Sequence, residues 1–322
     1  RIPASCCGLF GLKPTRGRMP LGPDWGESWS GLVQEHAITR TVRDSAALLD
    51  ATAGPDLGAP YFAPPPARPF LAEVGADPGS LRIAFTADSL FGETTHPDCR
   101  AALEDAVTLV AGLGHKVEEA RPPFDKARLR RAYLAVVAVN TARAIDQAGE
   151  VTGVRPTPAS FEPETWLLGL IGRKMPASDY QAAIETLHLA TRKLAAFFET
   201  YDLLMTPALA HPPLAIGALA PKPAQKVAMR VLRALPIRAL LDTALERLAA
   251  EAFEATANTM LFNQTGQPAM SVPLFWSQSG LPIGTQLVAR YGEEGTLLRL
   301  AAQLEHARPW FDRHPPGLTP VT

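Results

Sequence analysis

Residues 81–123 constrain the fold more than any other stretch of this chain. LRIAFTADS (81–89) is a short apolar run of strand character. Asp98 to Leu113 places apolar residues on one helical face and is closed by Gly114, and HKVEEARPP (115–123) returns as a strand. Strand, helix and strand within about forty residues fit a β-α-β unit with a right-handed crossover. A sheet built on such a unit is mostly buried and needs helices to cover it.

The rest of the chain supplies them. In TRTVRDSAALLDATAGPD (39–56), Thr39 or Thr41 caps a helix; Val42, Ala46, Leu49 and Ala53 share its face, and Gly54-Pro55 ends it. Residues 124–200 read as mostly helical, interrupted near GVRPTPASFEPE (153–164) and at Met175-Pro176. YDLLMTPALAHPP (201–213) is a buried strand running into a loop. A helical stretch over 224–262 is split at Pro236. PAMSVPLFW and LPIGTQLVAR are two strands joined by the turn SQSG, and a helix from Glu293 to Ala307 closes the fold. The first forty residues, rich in glycine, proline and tryptophan, read as loop and short strand, and GPDLGAPYFAPPPARPF (54–70) is too proline-dense for regular structure. The fold class is α/β, with a mixed central β-sheet covered by helices, in one domain over residues 1–322.

Composition narrows the function. With 322 residues and 47% hydrophobic content the chain can bury a sizeable core. Lysine plus arginine (31) nearly balance aspartate plus glutamate (32), which gives no electrostatic case for a nucleic acid partner or an anionic membrane surface. The seven histidines show no zinc spacing, and three cysteines, two of them adjacent, make no disulfide framework. Free thiols point to a reducing compartment and a cytoplasmic location. No apolar run reaches the roughly 20 residues of a membrane span. VAMRVLRALPIRALLDTALERL (227–248) combines arginines with a broad apolar face; it reads as a helix packing on the sheet or covering a pocket, with a membrane-surface helix as the rival.

Three segments carry a resemblance. RIPASCCGLFGLKPTRGR (1–18), ITRTVRDSAALLD (38–50) and NQTGQPAMSVPLFWSQSGLPIGTQLVARYGEE (263–294) resemble, in order and distance, the amidase signature family. Within it, FNQTGQPAMSVPL and GLPIGTQLVA are most similar to the bacterial 6-aminohexanoate-cyclic-dimer hydrolase branch. The resemblance implies an amide hydrolase with a Ser–cis-Ser–Lys triad, a small-molecule amide substrate, no cofactor and no metal; it leaves a homodimer open. Its nucleophilic serine belongs to a Gly-Gly-Ser-Ile stretch that would run into Arg1, and would sit two residues before it. The bridging serine, the lysine and the glycine-rich oxyanion hole would lie upstream too. The chain opens on Arg1 rather than methionine, so the expectation is a piece of a longer gene product whose catalytic residues are outside it.

Such a piece is expected to be inactive alone. A lysine base must be neutral, and lowering its pKa from about 10.4 toward 7 takes roughly 4–5 kcal/mol of environmental tuning. Losing one oxyanion donor costs about 10²–10³ in rate. Cys6 and Cys7 have no partner placed by sequence to activate them. Lys13, in the signature's tail, is read as packing or surface. The rival function is a non-catalytic remnant or binding subunit; ester cleavage is chemically adjacent to amide cleavage.

The resemblance also implies site residues. Arg1 follows the missing serine and Asp44 is the family's aspartate on the next helix; together they are expected in one network behind the nucleophile loop, with Arg40 and Arg43 as competing partners for Asp44. Cys6, Phe262, Asn263, Gln264 and Thr265 are expected to line the substrate pocket, the last four where a long helix breaks before Gly266 and Pro268; the alternative is that Asn263 caps that helix. The glutamine-transamidase branch carries an acid gripping the substrate ammonium where this chain has Thr256, which points to a neutral linear or cyclic amide.

Overall fold

The computed structural model describes residues 1–91 and 94–314, without the side chains of 249–255 and 257. What the sequence reading treats as one domain forms two compact units. The first comprises Arg1–Pro122, Ala195–Pro213 and Ala255–Thr322, and the second Pro123–Leu194 and Leu214–Glu254.

The first unit is built on a seven-stranded mixed sheet of β1 (Phe10–Lys13), β2 (Ile38–Thr39), β3 (Arg82–Phe85), β4 (Lys116–Glu119), β5 (Leu203–Pro207), β6 (Ala269–Trp276) and β7 (Pro282–Ala289). Their order is β2-β1-β6-β7-β5-β3-β4. The β3–β4 and β3–β5 pairs are parallel and the others antiparallel, so the β-α-β unit stands at one edge with α3 (Pro97–Gly112) as its crossover.

Register sorts the side chains onto two faces. Leu12, Met270, Leu287 and Met205 lie in one row across the sheet. They belong to the main apolar cluster, together with Leu103 and Val110 of α3, Leu49 of α2 (Val42–Thr52), and Leu297 and Leu304 of α9 (Glu294–Ala307). The next row, on the opposite face, is Gly11, Ser271, Gln286 and Thr206. All but the glycine are polar, and Ser271, Gln286 and Thr206 are fully buried. A polar row inside a fold calls for partners laid across it; Gln286 and Thr206 have theirs, whereas Ser271 Oγ has none among the described residues.

Part of that cover is α1 (Ile2–Cys7), which corrects the reading of the first forty residues as loop and strand. Pro3 fits the first turn, and Gly8 in the left-handed region closes the helix after six residues. Close approach to the sheet explains the glycines beneath it. A Cβ on Gly11 would come within 2.5 Å of the Ala4 methyl, and one on Gly284 within 2.8 Å of the Ser5 hydroxyl. Ser5 Oγ instead accepts the Gly284 N–H at 2.9 Å.

The second unit is helical. It holds α4 (Lys126–Thr152), α5 (Pro163–Lys174), most of α6 (Ala177–Thr200), α7 (Pro223–Ala234) and the start of α8 (Arg238–Thr265). The breaks fall where proline and the 153–164 loop placed them. Leu129, Ala132 and Val136 of α4, Leu167 and Ile171 of α5 and Leu187 of α6 are buried. Helix α7 lies beside α5 and buries none of its residues; Val227 and Val231 are exposed. Among the described residues no helix is long and apolar enough to cross a membrane.

Candidate active site

Arg1 is the centre of the polar face. It is the N-cap residue of α1, and its guanidinium donates from Nη1 to the Thr259 carbonyl (2.8 Å) and to Gln286 Oε1 (2.7 Å), and from Nη2 to Asn263 Oδ1. Gln286 Nε2 donates onward to Thr206 Oγ1 (3.0 Å) and to the Asn258 carbonyl (2.9 Å). Asn258 in turn donates to the Pro207 carbonyl and accepts from the Leu90 N–H, both at 2.9 Å. One cation thus ties α1 to the end of α8 and, through Gln286, to the central strands. Arg1 and Asn263 are half-buried, while Gln286, Thr206 and Asn258 are at or near full burial, the setting in which such bonds strengthen one another.

The end of α8 is held from the other side. Arg16 Nη2 donates to the carbonyls of Asn263 (3.0 Å) and Gln264 (2.6 Å), groups that a helix terminus leaves without partners. Gly266 N–H returns to the Phe262 carbonyl at 3.1 Å. The helix is therefore capped by Arg16 and Gly266, and the Asn263 side chain is turned to Arg1 instead of capping.

A buried ion pair fixes the segment between. Arg18 Nε and Nη2 reach the two carboxylate oxygens of Glu294 at 3.0 and 3.1 Å, and the Thr15 N–H donates to the same carboxylate at 2.9 Å. Both side chains are at most 4% exposed. Burial pushes the Glu294 carboxyl up, but the hydrogen bonds and charge of Arg18, with Thr15, outweigh it and hold the group below its usual range.

The structure brings some expected residues together and separates others. Asp44 is not in the Arg1 network. It sits exposed in the first turn of α2, where Thr41 Oγ1 accepts its N–H at 3.0 Å; the Glu305 carboxyl is pushed up by burial first and by the Asp44 charge second. An acid in the first turn is favoured by the helix dipole without any buried partner. Arg40 turns away as well, donating to the Phe311 carbonyl. Phe262 is fully buried, and the Thr265 hydroxyl is used within its helix, donating to Leu261 O at 3.0 Å. Gln264 is 1% exposed, and neither atom of its side-chain amide has a hydrogen-bond partner among the described residues. Cys6 is half-buried; burial and then the Cys7 thiol push its own thiol up, so it is protonated at neutral pH and a poor nucleophile. Lys13 is buried rather than on the surface, donating to Pro14 O at 2.7 Å. Burial, with the charges of Arg1 and Arg16, holds its amine well below the usual lysine range, while Glu294 pulls the other way.

The Arg18–Glu294 pair and the role of Gln286 escape sequence reasoning, since their partners lie some hundreds of residues apart or on another strand. Among the described residues no group of three or more His, Cys, Asp or Glu is placed to hold a metal ion.

Arg1 and Asn263 thus meet on the polar face of the mixed sheet, beside the buried amide of Gln264. Residues 1–298 match the profile of the family described as Amidase. The chain belongs to the amidase signature family. Among curated proteins, this amidase-family chain is 36% identical over 326 residues to a 6-aminohexanoate-cyclic-dimer hydrolase of Pseudomonas sp. (strain NK87), and 35% identical over the same length to that of Paenarthrobacter ureafaciens. Each alignment covers 99% of this chain and 63% of the relative. The chain thus spans a little under two thirds of the length of those relatives. The solved structure of a 6-aminohexanoate cyclic dimer hydrolase superimposes with a TM-score of 0.84 at 34% identity, covering 98% of this chain and 64% of that one, and the same enzyme has been solved complexed with substrate. A bacterial aryl acylamidase of the amidase signature family shares the fold, with a TM-score of 0.74 at 20% identity over 97% of this chain and 61% of that one.

Proposed function

We propose that the whole protein hydrolyses a neutral linear or cyclic amide, and that residues 1–322 supply the sheet, its cover and one wall of the substrate site. The catalytic Ser–cis-Ser–Lys set is assigned to sequence upstream of Arg1, the nucleophile two residues before it. The observation that carries this reading is the anchoring of Arg1. Three hydrogen bonds, to Thr259, Gln286 and Asn263, hold the residue that would follow the nucleophile loop. A nucleophile and its oxyanion donors act only when their positions are fixed to fractions of an ångström, and a residue tied at three points is a suitable anchor for them. The names of the relatives, hydrolases of a cyclic amide dimer, support the reaction and the substrate class.

In this mechanism a neutral lysine takes the serine proton through the bridging serine. The serine oxygen attacks the amide carbon, and the proton passes to the departing nitrogen. Water then releases the acid from the acyl-enzyme. Gln264 buries a side-chain amide with neither atom partnered among the described residues, and we assign it to the substrate amide or the adjoining catalytic loop.

The test is to read the gene in frame upstream of the Arg1 codon and assay the extended protein on 6-aminohexanoate cyclic dimer and on an ester analogue. Turnover that disappears when the serine two residues before Arg1 is changed to alanine, with residues 1–322 inactive alone, is the expected result. An unrelated or interrupted upstream sequence, or full activity in residues 1–322, refutes the proposal.

A further inference from the structure

The helical unit contains a second candidate site. A cavity of about 360 Å³ opens between α4, α5, the start of α6 and the start of α8, within the size range of small-molecule sites. The break at Met175-Pro176 helps to form it, because both residues line it where α5 ends and α6 begins. Its floor is aliphatic: Ala132, Ala135, Ile171, Leu241 and Leu245 are all buried. Its mouth is charged, with Arg128, Arg131, Lys174 and Arg238 against Asp179 and Asp242.

Those charges are not all equivalent. Arg238 binds Asp179 at 2.6 Å and lies 3.7 Å from Asp242, so both lining carboxylates are engaged by one arginine. Arg131 is paired with Glu246. Arg128 meets only a hydroxyl, Thr186 Oγ1 at 3.3 Å, and Lys174 has no ion pair or hydrogen bond among the described residues. Two cations without acids therefore stand at the mouth of an apolar chamber, each exposed and able to swing toward a bound anion.

We propose that this cavity binds a medium-chain aliphatic monocarboxylate, its carboxylate held by Arg128 and Lys174 and its chain on the alanine, isoleucine and leucine floor. Arginine presents paired N–H donors that match a carboxylate, and lysine adds a point charge. Burying the chain supplies the apolar part of the affinity. A dianion is disfavoured because Asp179 and Asp242 line the same mouth. A terminal ammonium is disfavoured because it would rest unpaired on the aliphatic floor.

The probe is hexanoate, titrated calorimetrically into the protein, with hexanol, acetate and 6-aminohexanoate as comparisons. Hexanoate is expected to saturate, and each comparison to bind at least about tenfold more weakly, the loss expected for one charged hydrogen bond or a comparable apolar area. The double variant Arg128→Gln/Lys174→Gln should weaken hexanoate by at least about tenfold. Both positions are exposed, so it should melt like the parent. Arg173→Gln, which removes a neighbouring cation that does not line the cavity, should leave binding unchanged. Equal binding of hexanol, an unaffected double variant, or no saturable heat would each overturn the proposal.

Discussion

The two units differ in how far they withdraw charge from water, although exposed pairs such as Arg100–Asp88 occur in the sheet unit as well. In the sheet unit, Arg18 and Glu294 are almost wholly withdrawn from water, and Arg1 is threaded into a network of buried amides and hydroxyls. In the helical unit, Arg131–Glu246, Arg143–Glu150, Arg173–Asp146 and Arg238–Asp179 are all pairs with roughly 40–60% of each side chain still exposed. Buried charges cost desolvation and tolerate few geometries; exposed ones are cheap and interchangeable. The first arrangement suits a surface that must hold a reacting loop still. The second leaves cations at the cavity mouth free to meet a ligand.

The sharpest way to break the contrast is Glu294→Gln. It leaves Arg18 buried opposite a neutral amide, and a loss of about 3–5 kcal/mol in denaturant unfolding at pH 7 is expected. The pH dependence has a definite sign. Because the folded-state pKa of Glu294 lies below its unfolded value, its contribution is complete above about pH 4.5 and is lost as pH falls through the folded value. The parent and the variant should therefore converge in acid. A gap that stays constant down to low pH would show that the carboxylate charge is not what stabilises the segment.

Gln286→Leu should come next in size. It removes the acceptor for Arg1 and the donor to Thr206 and Asn258, leaving polar groups buried without partners at a cost of about 1–3 kcal/mol. In the extended, catalytically competent protein, kcat for amide cleavage should fall by more than stability alone explains, because Arg1 loses its bond to Gln286. Unchanged kcat in a folded variant would detach the network from the site.

What was legible in the sequence follows from distance along the chain. Helix α2 announced itself locally: Thr41 caps it, and Val42, Ala46 and Leu49 return every three or four residues to the core. The β-α-β unit, the β6–β7 hairpin around SQSG and the helix breaks at Pro176 and Pro236 carry equally local signals. Helix α1 did not, because six residues with a proline and two cysteines have little helical preference of their own. It forms where Ser5 meets Gly284 and Ala4 meets Gly11. The site was legible by resemblance in its ingredients, Arg1 and the 262–265 stretch, but not in its wiring. Arg1 finds Asn263 and Gln286 more than 260 positions away, and no periodicity encodes that. Asp44 shows the converse, a residue assigned to the network by resemblance that serves its own helix end.

The smallest effect tests the other half of the comparison. Arg173 and Asp146 join α5 to α4 through two hydrogen bonds of 3.0 and 2.6 Å, a geometry that looks stronger on paper than the bond between Gln286 and Thr206. Their side chains are nevertheless 39% and 45% exposed, so water and salt compete for both charges. Arg173→Ala should then change unfolding free energy by only about 0–1 kcal/mol, and by less as ionic strength rises. A loss comparable to that of Glu294→Gln would mean that bond geometry, rather than removal from water, sets the worth of a charge in this fold. The division between a rigidly wired sheet face and an adaptable helical one would then fail.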